Sequence, residues 1–184
     1  MRKLVLGAAV VIGLGASGCA MNGSGVAAER GSAAEASAKV ALMDASGAPK
    51  GMATLRQGPG GLMLTVSAMG MTPGPKGIHF HTTGRCDAPD FTTAGGHWNP
   101  TAMKHGKDSG VGPHSGDLPN IEIGSDGTGR VETMVPGATL TGGASPLMDA
   151  DGAALIIHAA ADDYRTDPSG NSGARLACGV VTAA

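Results

Sequence analysis

The chain has 184 residues, 15% of them charged, and a net charge of −2, which is enough for one domain plus a leader. No basic patch is interleaved with aromatics, so nothing in the sequence points to a nucleic-acid partner. Hydrophobic residues make up 41% but aromatics only 2%, so the core must be aliphatic; 32 glycines and 11 prolines argue against long helices and for a β-rich fold with substantial loops.

Residues 1–18 read as an export signal. Arg2 and Lys3 form a charged start, and the apolar run over 4–14 is too short to cross a bilayer as a helix. The segment Ala16-Ser17-Gly18-Cys19 resembles a bacterial lipobox, which would make Cys19 the lipidated first residue of an envelope protein held at a membrane. A plain signal peptide cleaved nearby is the alternative. Loss of the two leader cations takes the net charge from −2 to −4. Residues 19–38, rich in Gly, Ala, Ser and Glu without apolar periodicity, read as a flexible tether. The folded domain is expected over 39–184.

From Lys39 onward, short β-patterned runs alternate with turn signals such as Ser46-Gly47, Pro59-Gly60, Asp126-Gly127 and Asp151-Gly152. The runs cover 40–43, 52–56, 62–67, 77–81, 121–123, 130–135, 154–158 and 176–182. About eight short strands of this kind predict an all-β antiparallel sandwich or barrel. The ten methionines admit two readings: gap filling in an aromatic-poor core, or soft copper ligands. They are scattered with no clustered motif, which favours gap filling.

Five of the six histidines fall within residues 77–120: His79, His81, His97, His105 and His114. The sixth, His158, lies in IIHAAADD. In a strand, residues two apart share a face, so His79 and His81 present two imidazoles together while Ile78 and Phe80 turn to the core. His114 and Asp117, three apart in HSGD, fit one turn around one metal. Imidazole with carboxylate suits zinc, and an imidazole-rich square suits Cu(II). The break over 82–120 is too long for an idle connection in a compact domain.

The segments GIHFHTTGRC, AGGHWNP, KH, HSGDLPN, HAAADD and ARLACGV occur in the order and spacing of the copper–zinc superoxide dismutase family. The chain resembles its bacterial exported form most closely, over residues 39–184. The resemblance implies a Greek-key β-barrel or sandwich with long metal-binding loops, and one copper and one zinc per subunit. It makes His79, His81, His97 and His158 copper ligands, and His97, His105, His114 and Asp117 zinc ligands. His97 would bind both metals. Asp162 would join His79 to His105 from outside the ligand sets, a contact that orients ligands and fixes tautomers. Arg175 would attract and orient the anionic substrate. Cys86 and Cys178 would form a disulfide, with two free thiols as the alternative. The bond would close a span of 92 residues, worth about 4 kcal/mol by chain entropy.

The implied activity is that of an oxidoreductase: two superoxide anions and two protons become oxygen and hydrogen peroxide, copper cycles between Cu(II) and Cu(I), and His97 carries a proton. It would protect the cell envelope. Superoxide is then the small-molecule partner, and the membrane enters only through a lipid anchor at Cys19. Both monomer and homodimer fit the resemblance. Lys104, Lys107 and Arg165 are further candidates for steering the anion. Two departures stand out: the segment 164–174 is short and lacks lysine, and Trp98 stands where many members have phenylalanine. A copper-delivery protein and a structural domain on the same fold are the competing classes. A full ligand set weighs against both.

Overall fold

The computed structural model describes residues 36–184. The export signal, Cys19 and all but the last three residues of the tether therefore lie outside the described residues. Strict alternation builds the first sheet. In β1 (Ser37–Met43) the inward residues are Ala38, Val40 and Leu42; in β2 (Pro49–Gly58) they are Ala53 and Leu55; in β3 (Gly61–Ala68) they are Leu62, Leu64, Val66 and Ala68. Period two puts every second side chain on one face. β1 begins at Ser37, within the segment read as tether, because Ala38 is buried and pairs with Leu55 of β2 and Ala183 near the C-terminus.

The remaining strands are β4 (Gly74–Lys76), β5 (Ile78–His81), β6 (Ile121–Ile123), β7 (Gly129–Pro136), β8 (Ala154–His158), β9 (Arg175–Val180) and β10 (Thr182–Ala183). One sheet runs in the order β5-β8-β9-β1-β2-β3-β7, with β10 on β1; β4 and β6 form a separate pair. Every pairing between these strands is antiparallel. Neighbours such as β3 with β7, β9 with β1 and β8 with β5 are far apart in sequence, as Greek-key connections require. Each of the eight expected runs overlaps a strand, the run over 176–182 extending past β9 into β10; β4, of three residues, is too short to leave a pattern.

The core is mainly aliphatic, as the composition requires. Leu42, Leu55, Leu64, Ile78, Phe80, Leu155 and Ile157 are fully buried, each contributing about 1.5–3 kcal/mol. The methionines, however, do not fill it. Among the described residues, Met43, Met52, Met63, Met69, Met103 and Met134 are exposed, and only Met71 and Met148 pack in or against the core. The reason lies in the register: Met52 precedes inward Ala53, and Met63 lies between inward Leu62 and Leu64, so both take the outer face. Met63 and Met134 are direct partners across β3 and β7.

Candidate metal centre

Backbone hydrogen bonds gather the histidines. Phe80 N donates to Gly116 O at 3.0 Å, Trp98 N donates to Phe80 O at 2.8 Å, and Gly116 N donates to Trp98 O at 2.8 Å. β5 is thereby braided with the His97 and HSGD segments. Phe80 and Trp98 turn into the core, so the residues flanking them turn the other way. Bridges between His79 and Asp117 and between His81 and His97 fix that register. β8 pairs with β5 and ends in His158, whose N–H donates to Gly77 O at 2.8 Å. His105 is set by its N–H, which donates to Asp167 Oδ1 at 2.8 Å.

Two clusters result. His79, His81, His97 and His158 offer nitrogens lying within 4.8 Å of one another; so do His97, His105, His114 and the Asp117 carboxylate. His97 belongs to both. In the first cluster His79 Nδ1, His81 Nε2, His97 Nε2 and His158 Nε2 are buried with no hydrogen-bond partner. Leaving such atoms unpaired costs about 1–3 kcal/mol each, and four converging imidazole lone pairs suit a copper ion. In the second, His97 Nδ1, His105 Nδ1 and His114 Nδ1 lie 2.9, 3.1 and 3.2 Å from Asp117 Oδ1. Three imidazoles and one carboxylate are a zinc donor set. The residues present therefore fit both metals.

The opposite ring nitrogens set the tautomers. His81 Nδ1 donates to Gly95 O at 2.9 Å and His158 Nδ1 to Gly173 O at 3.2 Å. Asp162 accepts from two rings: His79 Nε2 on Oδ2 at 2.8 Å and His105 Nε2 on Oδ1 at 2.9 Å. Each ring thus turns its free lone pair toward its cluster, which is the work of outer partners in metal sites. Burial holds His81, His158 and His97 neutral, pushing them down to about 2, about 3 and about 4. Burial also opposes a charge on His105, but the Asp117 and Asp162 carboxylates outweigh it and raise that ring to about 9. Burial pushes Asp117 and Asp162 up, yet their histidine hydrogen bonds hold both well below the usual carboxylate range.

The first cluster opens on a cavity of about 450 Å³ lined by His81, His97, His158, Pro168, Ser169 and Arg175. Arg175 Nη1 donates to Phe91 O at 2.6 Å and Nη2 to Gly95 O at 2.7 Å. Cys86 and Cys178 are joined by a disulfide, which ties the segment carrying both carbonyls to β9. Lys107 is turned away from this cavity, with its Nζ 4.3 Å from the Tyr164 ring centroid. Lys104 and Arg165 are exposed and do not line it.

Several contacts escaped the sequence reading. Asn120 holds the Asp162 backbone from both sides: Nδ2 donates to Asp162 O at 3.0 Å and Oδ1 accepts from Asp162 N at 2.8 Å. Tyr164 N donates to Asp162 Oδ1 at 2.6 Å, and Tyr164 OH accepts from Asn120 N at 2.7 Å. Gly170 packs so close that a Cβ there would fall on Asp162 Oδ1. Asn120 ends the HSGDLPN segment, so proximity to a candidate ligand was the available signal; nothing in the sequence marks Tyr164 or Gly170.

Residues 49–181 match the family described as copper/zinc superoxide dismutase (SODC). "Superoxide dismutase [Cu-Zn] 1" of Aquifex aeolicus is 42% identical over 142 residues, 76% of this chain and 84% of that protein. The "Superoxide dismutase [Cu-Zn]" of Deinococcus radiodurans is 35% identical over an alignment that covers 99% of this chain and 98% of that protein. Among solved structures, a SOD-like protein from Bacillus subtilis is 41% identical, with a TM-score of 0.75 over 78% of this chain and 97% of that one. Matches of this extent, on a chain that gathers two metal donor sets around one shared histidine, make it a member of the copper/zinc superoxide dismutase family.

Proposed function

We propose that this enzyme dismutes superoxide with copper held by His79, His81, His97 and His158, and zinc held by His97, His105, His114 and Asp117. Two superoxide anions and two protons give one oxygen and one hydrogen peroxide. The observation that carries the reading is the set of buried, unpartnered ring nitrogens, four of which converge on one point while His97 turns its other nitrogen to Asp117. Copper supplies the one-electron redox chemistry when bound, and zinc supplies fixed charge without any.

The side chains then have separate tasks. Arg175 is the one lysine or arginine lining the cavity among the described residues. With an overall negative charge, the protein depends on such local positive charge to draw in an anion. Its two carbonyl contacts leave the guanidinium half-buried and fixed, so it orients the anion beside the histidine cluster. His97 Nε2 faces that cluster and the cavity, so it is the atom at which a proton is taken up and passed on. His97 Nδ1, turned to the second cluster, keeps the ring in place while that happens. Asp162 holds His79 and His105 in the tautomers that ligation needs.

The same reading makes the enzyme an envelope protein, exported through residues 1–18 and anchored by a lipid on Cys19. The charged start, the apolar run and the lipobox-like segment support it, and a disulfide suits an oxidising compartment. Mass analysis of the mature chain reads the anchor directly; an N-terminus other than a lipidated Cys19 contradicts it. The activity itself is read by superoxide removal with the metal-loaded protein. Removal indistinguishable from buffer overturns the proposal.

A further inference from the structure

Arg175 takes both of its carbonyl contacts from one short piece of chain. Phe91 and Gly95 flank the 3-10 turn Thr92–Ala94, at its N-terminal and C-terminal caps. The two caps present their carbonyls to the two ends of one guanidinium, at 2.6 and 2.7 Å. Gly95 O also accepts from His81 Nδ1 at 2.9 Å, so this turn meets the cluster and the arginine together.

The two caps reach that geometry differently. Gly95 has φ +77, and a Cβ there would lie 2.5 Å from Thr82 Oγ1, so only glycine fits. Phe91 also has a left-handed backbone, with φ 56, but carries a large side chain. For a residue other than glycine this conformation costs about 1–2 kcal/mol, so the surroundings must hold it. Phe91 is 3% exposed and packs in a small cluster of its own with Ala94, Ala154, Ile156, Cys178 and Cys86. That cluster is separate from the main core. Its members come from β8, from the disulfide and from the turn itself. Phe91 itself offers no side-chain cap; Asp90 Oδ1 accepts from Thr92 N at 3.1 Å. The backbone bonds from Ala94 N to Phe91 O at 3.1 Å and from Phe91 N to Asp87 O at 3.0 Å close the turn, and packing of the Phe91 ring against β8 and the disulfide seats it so that its carbonyl faces Arg175.

We propose that Phe91 is the positioning residue for Arg175: its buried ring locks a left-handed turn that aims the Phe91 carbonyl at the guanidinium. This rests on Arg175 being the anion-orienting group. Phe91 touches neither substrate nor metal and acts only through the arginine.

The test compares four copper- and zinc-loaded proteins with the parent: Phe91→Ala, Phe91→Leu, Arg175→Ala, and the Phe91→Ala/Arg175→Ala double variant. Each is read by metal content, by superoxide turnover and by the affinity of the copper-loaded protein for azide, a small competing anion. Loss of one aimed hydrogen bond predicts a roughly three- to tenfold loss of turnover and azide affinity in Phe91→Ala, with both metals retained. Phe91→Leu, which refills the apolar cluster, stays close to the parent. The double variant is no worse than Arg175→Ala, because the two changes remove one effect. The inference is overturned if Phe91→Ala matches the parent, loses metal or fails to fold while Phe91→Leu is impaired, or if the two changes multiply. If Arg175→Ala itself matches the parent, the role given to the arginine fails first. An effect of Arg175→Ala without one of Phe91→Ala removes only the inference about Phe91.

Discussion

Asp162→Asn offers the sharpest test of the metal assignments, because the structure says which metal should suffer. The carboxylate accepts on both oxygens: Oδ2 from His79 Nε2, and Oδ1 from His105 Nε2 and from Tyr164 N. An amide of nearly the same shape has only one accepting oxygen; its other end donates. If the amide oxygen takes the Oδ1 place, two donors remain satisfied and the NH2 meets His79 Nε2–H. The opposite orientation sets the NH2 against both His105 Nε2–H and Tyr164 N–H. The first arrangement costs one contact and the second costs two, so the NH2 faces His79. To accept from it, His79 must move its proton to Nδ1, the atom that points into the four-histidine cluster. That tautomer cannot ligate. Copper affinity should fall about 10–100-fold, the usual cost of a lost outer partner, while zinc affinity changes little. Competitive chelator titrations of each metal measure this. Loss of zinc with copper retained, or no change in either, refutes the reasoning.

His97→Ala removes the residue common to both clusters, so both metals should bind more weakly and superoxide turnover should fall by about 100-fold or more; near-normal turnover contradicts its shared role. Gly170→Ala would set a Cβ on Asp162 Oδ1 and 2.6 Å from His105 Nε2, at φ +62. Elemental analysis should find both sites under-filled, and full occupancy would show that the segment gives way. In the metal-free protein His105 is raised to about 9 and must lose its proton to ligate through Nδ1. Zinc affinity should therefore climb between pH 7 and about 9 and level off above it; a flat profile from neutral pH upward would mean that the ring is already neutral.

The strands were legible because one-sided burial imposes period two on the sequence, because β5 alternates apolar residues with histidines, and because β8 is a short apolar run ending in histidine. The candidate ligands were legible because six histidines in a chain this poor in aromatics have few other uses. What stayed hidden was held by backbone rather than by residue type. The Phe80, Trp98 and Gly116 braid uses main-chain groups that any sequence supplies. The left-handed turn at Phe91 packs on β8 and Cys178, far along the chain, and the close approach at Gly170 is to Asp162 and to His105, which only the folded loops bring beside it. The methionines were misread for a related cause. Composition says that a core lacks aromatics, but only the register says that Met52 and Met63 face outward.

The two clusters are joined twice, and the two joints differ in kind. His97 links them through one ring, so whatever is bound on one side acts directly on the other nitrogen. Asp162 links them through a carboxylate, with His79 on one oxygen and His105 on the other. The first joint has to yield if His97 is to take up a proton on the cavity side. The second lies on the far side of the rings, fully buried, pinned by Asn120 and Tyr164, and has nothing to do in the chemistry. If copper were held by these four histidines, a proton taken up at His97 Nε2 would require the other three rings to hold position. Asp162 meets that need for His79, and the carbonyls of Gly95 and Gly173 meet it for His81 and His158. Among the four histidines of the first cluster, only His97 has no ring contact outside the two clusters. In the proposed reaction, the ring that would exchange a proton is thus the one that the surrounding protein would leave to the metals.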